Sequence, residues 1–289
     1  MIEYLSEIWI SSYLTPFLGV AVLVGLLKLT AKGGTGFNPQ RSLPGASVGV
    51  AFAWVSALVL GSPEFPPIPG SGAIVSTTAT LLLLGVLLDY FLPIQNLNFR
   101  LWETVIVIVS GIALIAWLRA GLDLWAVFLL LSWGILVFRL LKVGAQIRIG
   151  MASATAMMIM AACGLAAVSA IAGLPADAEI AIGLAAANLG LFVWNWPKQR
   201  FVFGFCLLLA GGGALLILAV RLLEESATFA PSLVLVGFVL FADTALGRIP
   251  LPSILRKQIA IPLMIAVISL LPLALAAAAA LISVDFLGS

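Results

Sequence analysis

Histidine is absent from this 289-residue chain, and charged residues make up only 9% of it. The first absence removes the commonest metal ligand and the commonest general base at neutral pH, which excludes a His-ligated haem or a His-containing zinc site. The second leaves too little polar surface to cover a soluble globule, because 63% of the residues are hydrophobic and the mean hydropathy is +1.23. Cysteine is also scarce. Cys163 and Cys206 both fall inside apolar runs, where a thiol packs as a small hydrophobe and gives no disulfide framework. A net charge of +2, spread over loops, excludes a nucleic-acid partner. The basic start of a secretory signal is missing too: Glu3 and Glu7 precede the first apolar run, which therefore reads as a retained span.

What the chain does have is apolar runs of membrane-spanning length. They fall at about 10–29, 46–61, 73–92, 101–119, 122–141, 150–172, 178–194, 201–222, 228–246 and 259–283, separated by Gly, Pro and charged residues. At about 20 residues per span, these runs and their short loops use the whole length. The expected fold is all-α: a polytopic integral membrane protein of about ten transmembrane helices forming a single domain over residues 1–289. Charge orients it. Lys28, Lys32, Arg41, Arg100, Arg139, Lys142, Arg148, Lys198, Arg200, Arg248, Arg256 and Lys257 lie in or beside the odd-numbered loops, and only Arg119 and Arg221 lie on the other side. That asymmetry places the odd loops in the cytoplasm and both termini outside, as expected in a bacterial inner (plasma) membrane.

Most acidic residues sort to the outer side. Asp89, Glu103 and Asp243 do not, and stand at the cytoplasmic boundary. A carboxylate there costs free energy unless it pairs or faces water, so each is either a functional residue or the partner of a base such as Arg100, Arg139 or Arg248. The outer loop from Gly61 to Gly70 contains four prolines and reads as a rigid cap. The alanine-rich stretch Ala274 to Ala280 reads as a helix with small side chains that permit close packing. No fixed-period repeat or pair of inverted halves is apparent, which weighs against a secondary transporter.

One break between spans is rich in signal: Trp194-Asn195-Trp196-Pro197-Lys198-Gln199-Arg200-Phe201-Val202-Phe203-Gly204-Phe205. Its indole rings favour a membrane-water boundary. It resembles the Phe-Asn-Phe-Pro-Pro-Ala-Lys/Arg-Ile-Phe-Met-Gly-Asp segment of the polyprenyl-phosphate sugar-1-phosphate transferases, with Phe205 where that family has Asp. Three other stretches are similar to family motifs. Gly85-Val86-Leu87-Leu88-Asp89-Tyr90 matches Gly-x-x-Asp-Asp with its second Asp replaced by Tyr90. Arg41-Ser42-Leu43 fits the first-loop pattern. Phe241-Ala242-Asp243-Thr244 resembles Leu-Asp-Thr. In the central loop Gln146 and Ile149 occupy the two Asp positions ahead of Gly150-Met151, and the later loop from Gly247 to Gln258 lacks the family's histidines.

The resemblance implies a fold of ten spans with outside termini and a site at the cytoplasmic helix ends. Transfer of a sugar phosphate between two anions needs a divalent cation held by carboxylates, and four family acids are replaced here. The expectation is therefore a catalytically degenerate homologue in cell-envelope glycan or glycolipid synthesis, without a cofactor. It would bind polyprenyl phosphate or a lipid-linked sugar among the membrane lipids, or scaffold a glycosyltransferase or exporter partner. Arg41, Lys142, Arg148, Asn195, Lys198 and Arg200 are the candidate phosphate and lipid ligands, the basic ones replacing the metal as a clamp. The plain alternative is that these charges set topology and touch anionic headgroups. A second alternative is an active UDP-sugar transferase with a rebuilt site, in which Asp89, Glu103 and Asp243 are catalytic and Asp89 and Asp243 hold Mg²⁺. A third is a structural subunit of a larger membrane complex.

Overall fold

The computed structural model describes residues 13–30, 42–61, 73–91, 99–119, 123–146, 150–249 and 259–288. The four-proline loop, Arg41, Arg148, Arg256, Lys257 and the N-terminal Glu3 and Glu7 lie outside the described residues. Among them the chain is helical, with no strand. In order, the helices are α1 (Thr15–Thr30), α2 (Ala46–Leu60), α3 (Ala73–Phe91), α4 (Phe99–Arg119) and α5 (Leu124–Gly144). There follow α6 (Gly150–Ile171), α7 (Pro175–Asn195), α8 (Phe205–Glu225), α9 (Ala227–Arg248) and α10 (Ile261–Gly288).

Among the described residues, eight helical segments are long and apolar enough to cross a membrane: α3, α5 to α10, and α2 taken with the 3₁₀ turn that precedes it. Shorter apolar stretches lie in α1 (Thr15–Leu29) and α4 (Val107–Ala116). The protein is thus an all-α integral membrane protein. Each apolar run of the sequence coincides with one of these helices, and the differences at the ends have local causes. The fifth run starts later because Asp123 caps α5, its side chain accepting from the Ala126 N–H at 2.8 Å. The seventh starts earlier because Pro175 fits a first helical turn, where its missing N–H is not needed. The eighth starts at Phe205 instead of 201 because Trp196 to Gly204 remain irregular.

Burial ranks the helices. In α8, 89% of the spanning window is buried, against 67% in α6 and α7 and 22% in α10. α8 is therefore the core, packed chiefly against α3, α2 and α5; α6 and α7, which pack on each other, are the next most buried, and α10 is largely turned outward. Lipid offers no hydrophobic drive for helix association, so close packing must supply it, and small residues allow that. A Cβ on Gly45 would stand 2.8 Å from the Leu207 amide nitrogen, and one on Gly85 would stand 2.8 Å from the Cys206 Cα. These two positions let α2 and α3 close on the first turn of α8. Within α8, Leu208–Gly212 is π-helical, a widened turn in a helix that is otherwise α-helical.

Candidate functional site

The segment between α7 and α8 is fixed from within. Asn195 is buried at the end of α7; its amide donates to the Leu191 carbonyl at 3.1 Å, and its side-chain oxygen accepts from the Arg200 and Phe201 N–H groups at 3.3 and 3.0 Å. Trp194 donates to the Ala21 carbonyl at 2.8 Å and Trp196 to that of Ile259 at 2.8 Å, which ties the loop to α1 and to the start of α10. Phe201 and Phe203 turn inward, and Phe203 lies on Gly144 at the end of α5. Lys198 and Arg200 are left at the surface. Asn195 thus shapes the loop that carries the two cations, its side-chain oxygen holding two loop N–H groups while its NH₂ is bonded back to α7.

Asp89 is fully buried at the end of α3. Its two carboxylate oxygens accept the Phe205 N–H at 2.8 Å and the Cys206 N–H at 3.0 Å. The first N–H groups of a helix have no partner within it, and in an apolar surrounding each unmet donor is costly. The residue at the N-cap of α8 is Gly204, which has no side chain with which to cap. A carboxylate from a different helix does this work, and its negative charge sits at the positive end of the α8 dipole. A Cβ on Gly204 would come within 2.5 Å of both Asp89 Oδ2 and the Ser42 Cβ, so only glycine fits between them. The local consequence for Phe205 is plain: its N–H is used by Asp89 and its ring is packed in the core.

Asp243 sits in α9 and forms an ion pair with Arg139 of α5. Arg139 is itself buried. Its Nε donates to the Leu240 carbonyl at 2.9 Å, one Nη donates to Asp243 and to the Thr244 hydroxyl (2.8 Å for the latter), and the guanidinium lies 4.8 Å from the Phe241 ring centroid. Of the three bases the sequence offered as partners for boundary acids, Arg139 is the one that takes Asp243. Glu103 lies in α4, and its side chain is outside the described residues, as are Arg41 and Arg148. Lys142 is exposed in the last turn of α5, where a positive charge suits the helix dipole.

Among the described residues, no three His, Cys, Asp or Glu side chains are grouped so as to hold a metal ion. Asp89 and Asp243 as placed do not fit Mg²⁺. Each Asp89 oxygen already accepts a backbone N–H, and a divalent cation at Asp243 would sit beside the Arg139 guanidinium.

Between α5 and α9 lies an apolar cavity of about 350 Å³, lined among others by Phe128, Leu131, Ile135, Val234, Phe238 and Phe241. Several of these side chains are also exposed on the outer surface of the helices, so the cavity opens sideways toward the bilayer. Gly237, which also lines it, keeps the space open: nothing lies within 4 Å of where its Cβ would be. A 3₁₀ stretch, Phe238–Phe241, follows, and the lining residue Phe241 lies against Arg139. The cavity was not legible in the sequence, because its residues look like any lipid-facing residues. Gly237 ahead of two phenylalanines was the only trace.

No family model matches the chain, and no curated protein matches it at a significant level.

Proposed function

We propose that this protein is a catalytically degenerate relative of the polyprenyl-phosphate sugar-1-phosphate transferases that recognises a polyprenyl-linked substrate, or scaffolds an enzyme that uses one, in cell-envelope glycan or glycolipid synthesis. In this reading ten spans cross the bacterial inner membrane with both termini outside. The observation that carries it is the fate of the two acids that the resemblance retains: Asp89 caps α8 and Asp243 neutralises Arg139, so both serve structure. What remains is a place for an isoprenoid chain and for phosphate. The α5–α9 cavity is apolar and open to lipid, and its lining residues Leu136 and Leu240 lie one turn before Arg139 and Asp243. The exposed Lys142, Lys198 and Arg200, with Arg41 and Arg148, supply the cationic clamp.

The test is to purify the chain in mild detergent and identify its bound lipids by mass spectrometry, beside a Lys142→Ala/Arg148→Ala/Arg200→Ala variant. Polyprenyl phosphate or a lipid-linked sugar, present in the wild type and lost in the variant, is the expected result. Bulk phospholipid alone, unchanged by the substitutions, overturns the recognition reading and favours a structural subunit. Mg²⁺-dependent sugar-1-phosphate transfer by the purified chain, abolished by Asp89→Asn, overturns the degenerate reading.

A further inference from the structure

The α5–α9 cavity ends where charge begins. Its last lining residues are Leu136 on α5 and Leu240 and Phe241 on α9, and the next turn of each helix brings Arg139 and Asp243. Arg139 is buried, Asp243 is partly exposed and Thr244 is exposed, so the cluster spans the step from the cavity to the surface of the bundle. The contacts of Arg139 with Leu240, Phe241, Asp243 and Thr244 all fall in one short piece of α9. That piece is where the helix is irregular: Phe238–Phe241 is 3₁₀, and Phe241 has φ −107° and ψ 5° before the α-helix resumes at Ala242. A 3₁₀ stretch inside a longer helix marks a place where it can bend. α5 packs on α9 chiefly through this stretch. Arg139 is thus the grip that closes α5 on α9 beyond the cavity.

Stability alone does not account for the use of charge here. Replacing a buried ion pair by packed apolar residues is often neutral or stabilising, so methionine and leucine would brace the two helices as well. What the charges add is a contact that parts when one partner is neutralised or captured by a competing ion.

We infer that the Arg139–Asp243 pair is a gate at the end of the α5–α9 cavity. Closed, it seals the cavity from the polar surface beyond Thr244; when the pair parts, α5 and α9 separate at the 3₁₀ stretch and the cavity opens there. A chain lying in the cavity with its phosphate at the cationic clamp has to pass between these two residues, because the clamp begins one turn beyond Arg139 on α5. That passage rests on the recognition reading, and the gate itself does not.

The test is the labelling rate of Leu136→Cys by a charged, membrane-impermeant thiol reagent, in the full chain freed of its own thiols by Cys163→Ala and Cys206→Ala. The protein is held in phospholipid nanodiscs without polyprenyl lipid. With the pair intact, labelling should be slow, since lipid covers the side of the cavity and the pair covers its end. Adding Asp243→Asn should speed it about tenfold or more, because a buried charge without its partner is costly and draws water in. Arg139→Met/Asp243→Leu, which closes the same place without charge, should label as slowly as the intact pair. Leu184→Cys, deep in α7, is the control and should stay unlabelled in every background. Unchanged labelling in Asp243→Asn shows a brace and overturns the gate. Fast labelling with the pair intact, or an equal gain at Leu184→Cys, overturns it too. Labelling as expected in a protein that copurifies with no polyprenyl lipid upholds the gate and overturns the recognition reading alone.

Discussion

Replacing Asp89 by alanine removes both acceptors from the first turn of α8 without touching any residue of that helix. The Phe205 and Cys206 N–H groups lie in the core, where water cannot reach them, and orphaning a buried donor costs roughly 1–3 kcal/mol. Two such losses come to about 4 kcal/mol, and loss of the charge at the helix N-terminus adds to them. At the roughly 2 °C per kcal/mol typical of large chains, the unfolding midpoint should fall by roughly 8 °C. Asp89→Asn keeps one acceptor oxygen but turns an NH₂ toward the second donor, so it should cost about half as much. The assay is thermal unfolding of wild type and both variants in one detergent, followed by size-exclusion recovery of the heated samples. Alanine and asparagine variants that melt within 2 °C of wild type would refute the capping argument. They would leave Asp89 free for a chemical role.

Three further outcomes follow from the same geometry. Gly204→Ala forces a methyl group against Asp89 and Ser42 and should destabilise by about 1–3 kcal/mol, read as a lower melting midpoint. Asp243→Ala leaves the Arg139 guanidinium buried without its counter-charge and should cost about 3–5 kcal/mol, whereas Arg139→Met/Asp243→Leu should recover most of that loss in the same melt. Gly237→Leu should fill part of the α5–α9 cavity without a clash, keeping the melting midpoint at or above wild type while reducing lipid bound per protein by mass spectrometry.

The helices were legible because a spanning helix must carry an unbroken run of apolar side chains, and glycine, proline and charge mark where each run stops. Their depth in the bundle was not. α8 and α10 are comparably apolar, yet one is the core and the other mostly faces outward. In lipid, hydrophobicity no longer separates inside from outside, and only the glycines on neighbouring helices hinted which helix lies at the centre. The α7–α8 break stood out as polar and aromatic, but the inward bonding of Asn195 depends on a fold of the loop that no spacing rule gives. Asp89 was noticed as an acid in a costly place. Its partners lie 116 and 117 residues further along the chain, beyond the reach of any local pattern. Arg139 and Asp243 were each visible as boundary charges, and pairing them required knowing that α5 lies against α9. Lys28 was read as one of the bases that orient the chain, and no sequence pattern sets it beside Trp194.

The widened turn at Leu208–Gly212 sets the angular phase of α8. Asp89 grips the helix at its first residues, and near its far end Arg221 is held by Asp177 of α7 through a 2.6 Å contact. These two grips come from different neighbours and fix the azimuth of each end independently. Removing a single residue from the α-helical part between them would rotate everything beyond the deletion by about 100° and swing Arg221 off its partner. The π turn holds one residue more than an α turn, so a one-residue deletion within Leu208–Gly212 should be absorbed far better than one elsewhere in α8.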